Sequence, residues 1–257
     1  MSVISSDEFF NAIRKRCSGE EEYATELLKA RGFLLEDEGM KLSDNSHPED
    51  EAFLRRILKA ENIGTVQDGK INISSFKNIE NIFKEEYVGG GEAFCTAESW
   101  QKFLHDSYAP KVPMWLLDPF VSRYIKAISA CGVRTCSSCD GNHPGESSFG
   151  RIIIEYNDDC NSLWNAIICK RCLNPRIPLN WKKEFKYIKF DSKNQWQTYL
   201  MLNQAAELLY DNRITLRRIR RQASDDTRRV MTAHTTKQDL AKAFAKSANK
   251  LMDETFI

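Results

Sequence analysis

Glycine and proline are scarce in this chain, with 12 and 7 among 257 residues, which argues against a loop-rich β-sandwich. No stretch of about 18 apolar residues occurs, so no transmembrane helix is expected. Met1 to Arg16 carries Asp7, Glu8, Arg14, Lys15 and Arg16 and has no apolar run, which excludes a secretory leader there. Charge of one sign is lacking as well. The net balance is +1, so bulk charge directs the chain neither to nucleic acid nor to a membrane. The phosphate-cradling loop G-x-x-x-x-G-K, the nucleophile elbow G-x-S-x-G and the metalloprotease motif H-E-x-x-H are all missing.

Hydrophobic residues make up 42% of the chain and aromatics 11%, enough for a packed core. Eight cysteines without a leader point to thiols or metal ligands in a reducing, cytoplasmic setting rather than to disulfides. Charge is unevenly spread. Residues 1–53 hold 13 acidic and 6 basic side chains, whereas residues 211–230 hold 7 Arg and 3 Asp.

The pattern predicts an α+β protein. A mainly helical N-terminal region comes first, then a small zinc-stabilised β-hairpin and helix unit, then a long C-terminal helical segment. Gly89-Gly90-Gly91 is the best linker, dividing 1–88 from 92–257. Helices are expected over 7–16, 20–31 and 48–61. In the third, Glu49, Asp50 and Glu51 open the helix and Arg55, Arg56 and Lys59 follow, an order that complements the helix dipole. Gln67 to Lys70 is a turn before a short strand with Ile71 and Ile73, and a further helix runs from Ser74 or Ser75 to Tyr87. Later helices are expected over 96–108, from Asp118-Pro119 to Cys131, from Asp158 or Asp159 to Ile168, over 194–222 and over 237–252. Strands are expected at 133–136, 151–156 and 184–190.

Cys136-x-x-Cys139 and Cys169-x-x-Cys172 are two pairs 29 residues apart. Zinc takes four tetrahedral ligands and accepts thiolates at about 2.3 Å. Two residues between ligands let both thiolates of a pair meet one ion, and two pairs close the shell. A closed site of this kind is structural, adding folding energy without activating water. The competing readings are plain buried thiols and a redox pair. Cys131 or Cys160 could replace a ligand, whereas Cys17 and Cys95 read as core residues. Between the pairs, Asp140-Gly141-Asn142-His143-Pro144-Gly145 has turn composition, and His143 within it is a weak catalytic or metal-ligand candidate.

Residues 136–174 resemble a treble-clef zinc module of the HNH-nuclease type, through the two cysteine pairs, His143-Pro144 and Leu163-Trp164-Asn165. That resemblance implies a nuclease in which His143 activates water. The chain departs from the pattern, since His143 follows Cys139 by only four residues and Pro175 and Pro178 disfavour a helix after the second pair. Strands on either side of residues 137–150, with a helix ending in the second pair, fit the sequence better.

Arg213, Arg217, Arg218, Arg220 and Arg221 fall on one expected helix, with 213, 217, 220 and 221 sharing a face. Guanidinium forks suit phosphate oxygens, so the row reads as a nucleic-acid or partner-binding stripe. A solvated helix end is the plain alternative. Together these features point to a zinc-stabilised nucleic-acid-binding or assembly-adaptor protein, for which a microbial or phage conflict system is one fitting setting. An HNH-like nuclease using His143 and a pure protein-interaction subunit are the alternatives.

Overall fold

The computed structural model describes residues 5–36, 39–84, 114–133, 135–141, 149–154, 159–172, 187–191 and 195–256. The glycine run at 89–91, the expected helix at 96–108 and His143 lie outside them. Eight α-helices and two small antiparallel sheets are present among the described residues, a mainly helical α+β architecture.

Helix α1 (Ser6–Arg14) starts at a reciprocal cap: Ser5 Oγ accepts the Glu8 N–H while Glu8 accepts the Ser5 N–H. Helix α2 (Glu20–Arg31) ends at Gly32, whose φ of 102° only glycine adopts without strain. A Cβ at Gly32 would stand 3.0 Å from Ser122 Oγ and 3.1 Å from the Arg123 amide nitrogen, so this turn also lets two segments touch. Helix α3 (Asp50–Ala60) is followed by the hairpin β1 (Gly64–Gln67) and β2 (Lys70–Ile73), which turns at Asp68-Gly69 with both residues at positive φ. After it, the expected helix from Ser74 to Tyr87 is reduced among the described residues to a 3₁₀ helix, Ile79–Phe83.

Helix α4 (Ser122–Ala130) is buried almost all round and stops at Gly132, φ 90°. Strands β3 (Thr135–Cys139), β4 (Phe149–Ile154) and β5 (Tyr187–Asp191) form a sheet in that order, with β4 central. Helix α5 (Asp159–Cys172) ends on the second cysteine pair. Trp164, fully buried on α5, donates its indole N–H to the Cys131 carbonyl at 2.8 Å and so satisfies the end of α4.

The long helix expected over 194–222 is two helices, α6 (Gln195–Asp211) and α7 (Arg213–Arg229), broken at Asn212. Asn212 has a ψ of 5°, outside the helical basin, and its side-chain amide turns back to the Leu208 carbonyl at 2.9 Å. Helix α8 (Lys237–Thr255) opens on a second reciprocal cap, Thr236 with Asp239, and packs against α7 and α5.

The apolar residues form a continuous core from Phe9 and Leu28 through Leu54, Tyr124 and Trp164 to Leu216, Phe244 and Met252. Phe120 is its aromatic centre, stacked on Phe83 at 5.0 Å and on Tyr199 at 4.7 Å, with Trp196 edge-on at 4.9 Å. Residues before and after the glycine run therefore share one core. Among the described residues no helix is long and apolar enough to cross a membrane.

Candidate functional site

The sequence singles out two constellations, and the fold treats them differently. Cys136 and Cys139 lie on β3, and Cys169 and Cys172 occupy the last turn of α5. The strands flank residues 140–148 and the helix ends in the second pair, as the sequence layout expects. Strand β3 has a register break: Thr135 faces Ile154 and Ser137 faces Ile153, so position 136 is an extra residue. In an unbroken strand, positions three apart fall on opposite faces. The extra residue at 136 interrupts that alternation between the two cysteine positions. Positions 169 and 172, three apart on a helix, already share a face.

The side chains of Cys136, Cys169 and Cys172, and all of His143, lie outside the described part. Cys139 is half-buried, and its sulfur accepts the Gly141 N–H at 3.3 Å. Cys131 is a core thiol that donates to the Leu209 carbonyl at 3.3 Å, and Cys17 donates to the Ile13 carbonyl at 3.3 Å. Among the described side chains, no three of His, Cys, Asp and Glu come together as a metal site.

The arginine row divides. Helix α7 buries Leu216, Ile219, Ala223 and Thr227, and this stripe sets which arginines face out. Arg218 and Arg221 are fully on the exposed side and make no ion pair with described residues. Arg217 and Arg220 are half-buried. The Arg220 side chain lies over Gly132, where a Cβ would come within 3.0 Å of its Cδ and 3.1 Å of Nη1. Arg213 turns back on α6: its guanidinium sits 4.0 Å above the Tyr210 ring and donates to the Tyr210 carbonyl at 2.7 Å. Arg228 and Arg229 are exposed, paired loosely with Asp225 at 3.6 Å and Asp226 at 3.5 Å. Helix α8 adds exposed Lys237, Lys242, Lys246 and Lys250. Residues 212–257 carry 11 Lys and Arg against 5 Asp and Glu, a balance of +6.

A third constellation escapes sequence reasoning. Arg31, Asp50, Asp118, Lys126 and Asp140 are all buried in the interior. Lys126 Nζ meets Asp50 Oδ2 at 2.8 Å. Arg31 donates Nε to the Ile82 carbonyl at 3.2 Å and Nη1 to Ser122 Oγ at 3.4 Å. Burial pushes the Arg31 guanidinium down to about 10, against the pull of Asp140, Asp118 and Asp50. Burial also lowers Lys126, opposed by Asp50. Asp118 accepts the Asp140 N–H at 3.0 Å, and the Tyr199 hydroxyl donates to the Asp140 carbonyl at 2.5 Å. This network ties α2, α3, α4 and α6 to the start of the cysteine loop. Asp140, which opens that loop, is thus fully enclosed.

No protein-family model matches the chain, and no curated protein or solved structure shows significant similarity to it.

Proposed function

We propose that the protein is a zinc-stabilised adaptor that holds nucleic acid by its phosphate backbone through the α7–α8 hairpin. The observation that carries the reading is the outward placement of Arg218 and Arg221 within a basic hairpin, with no ion pair to any described residue. Exposed guanidinium groups free of carboxylates can neutralise phosphates and release their counterions. Few aromatics interleave with them, so the hairpin suits backbone contact rather than stacking on unpaired bases.

Zinc supports this role by fastening β3 to the end of α5. Cys136, Cys139, Cys169 and Cys172 are the ligands in this reading, and the N–H donation to Cys139 fits a bound thiolate. When bound, the ion supplies cross-linking of the two elements, and no chemistry is assigned to it.

The test is titration of labelled duplex and single strands at two salt concentrations. Affinity should fall steeply with salt, and Arg218→Glu with Arg221→Glu should weaken binding to every sequence alike. Absence of binding at low salt removes the reading. The protein-interaction alternative draws on Ile214, Val230 and Met231, which are 54%, 57% and 61% exposed on or just after the same helix. It predicts that the two charge reversals break a protein complex while nucleic acid never binds. For the HNH-like nuclease, His143→Ala would abolish metal-dependent cleavage with the fold retained.

A further inference from the structure

A cleft of about 690 Å³ lies between the end of α2, α4 and the α6–α7 junction. Lys29, Glu36, Arg123, Lys126, Glu207, Asp211 and Arg213 are the charged groups on its wall. Most are already matched. Glu207 meets Arg16 at 3.0 Å, Glu36 meets Lys41 at 2.9 Å, Lys29 meets Glu26 at 3.0 Å and Lys126 meets Asp50 at 2.8 Å.

Two guanidinium groups stand apart. Arg123 donates to the neutral Asn203 Oδ1 at 2.8 Å and feels the negative charge of Glu26, Glu207 and Asp211 without an ion pair to any described residue. Arg213 is held by the Tyr210 ring and carbonyl. Neither makes an ion pair with described residues, although each guanidinium carries five donors. Helix α7 begins at Arg213, with no side-chain cap and no acidic residue in its first turn. The carbonyl end of α6 lies one residue away, so the two helix ends offset each other and the arginines carry the positive charge of this wall. Asp211 is exposed, makes no ion pair with described residues, and contributes negative charge near Arg123.

We infer that this cleft binds a small phosphate-bearing molecule, its phosphate held between Arg123 and Arg213 at the start of α7. A phosphate has enough oxygens to accept from two forks together, which a carboxylate with two oxygens does less well. The volume leaves room for an organic body beside the Tyr210 and Leu35 side of the cleft. Arg213 thereby belongs to the cleft and not to the outward row of α7. The site is separate from the nucleic-acid surface and stands or falls without it.

Calorimetric titration of the full chain with inorganic phosphate, adenosine monophosphate and succinate tests the inference. One phosphate-bearing molecule should bind per chain, with succinate about tenfold weaker or more. Arg123→Gln and Arg213→Gln should each weaken phosphate binding by about tenfold or more. Arg218→Gln with Arg221→Gln should leave it unchanged while weakening nucleic acid. Equal affinity for the two phosphate probes makes phosphate itself the ligand, and tighter adenosine monophosphate makes it a phosphate ester. No binding of either at about 10 mM, equal binding of succinate, or full binding by Arg213→Gln overturns the inference. If Arg123→Gln fails to fold by circular dichroism, Arg213→Gln decides alone.

Discussion

Lys126 Nζ stands 2.8 Å from Asp50 Oδ2, and neither side chain reaches solvent. Asp50 holds more than the lysine. Its carboxylate also accepts the Met114 N–H at 2.8 Å and the His47 N–H at 3.3 Å. Asp50→Ala leaves a buried cation and two amides without their acceptor, and should cost about 3–5 kcal/mol. Lys126→Met keeps the volume and leaves the carboxylate its two amides, so it should cost less. Urea unfolding of both variants checks the order, and a loss under about 1 kcal/mol for Asp50→Ala would contradict it.

Tyr199 gives a pH-dependent signature. Burial pushes its phenol well above the ordinary tyrosine value, with the negative charge of Asp140 adding to the rise. An unfolded tyrosine ionises near 10, whereas the folded one keeps its proton. Above about pH 10 the unfolded state therefore binds fewer protons, and stability falls as pH rises. The advantage of Tyr199 over Tyr199→Phe should be full below that pH and shrink above it. Melting temperatures of the two proteins from pH 8 to 11 measure this, and a constant difference would refute it.

The cysteine site makes a metal-dependent prediction. One zinc per chain should be found by native mass spectrometry of protein purified without added metal. Cys139→Ser or Cys172→Ser should lose the ion and lower the melting temperature, whereas Cys131→Ser should keep it. Zinc-free protein that resists chelators with no change in melting would end the zinc reading.

Gly32→Ala should be destabilising by about 1–3 kcal/mol. The added methyl meets Ser122 and the backbone of Arg123 at a φ of 102°. Thermal unfolding checks the size. Because Gly32 also borders the cleft, phosphate affinity should drop with it.

Much of the helical framework was legible in the sequence because its signals are local. Asp50 to Ala60 followed from charge order, and the turn at Asp68-Gly69 from composition. The break at Asn212 has no such signal, because both halves keep helical periodicity and only one residue leaves it. Spacing alone places Arg213, Arg217, Arg220 and Arg221 on one face. The stripe of Leu216, Ile219, Ala223 and Thr227 turns Arg218 outward and half-buries Arg217, which spacing by itself does not decide. The buried charges were out of reach for a different reason. Asp50 reads as a dipole partner at the start of α3, and nothing local announces a lysine 76 residues later as its counter-ion.

Gly132 and Arg220 lie 88 positions apart, yet the missing side chain of one is the seat of the other. A helix lying on a core can roll about its long axis like a log. Here the buried stripe of α7 sets the azimuth, and the Arg220 stem resting in that hollow is one further point of contact. A methyl group at 132 would displace the Arg220 side chain from its seat, so a change far from the exposed arginines in sequence would reach the helix that carries them.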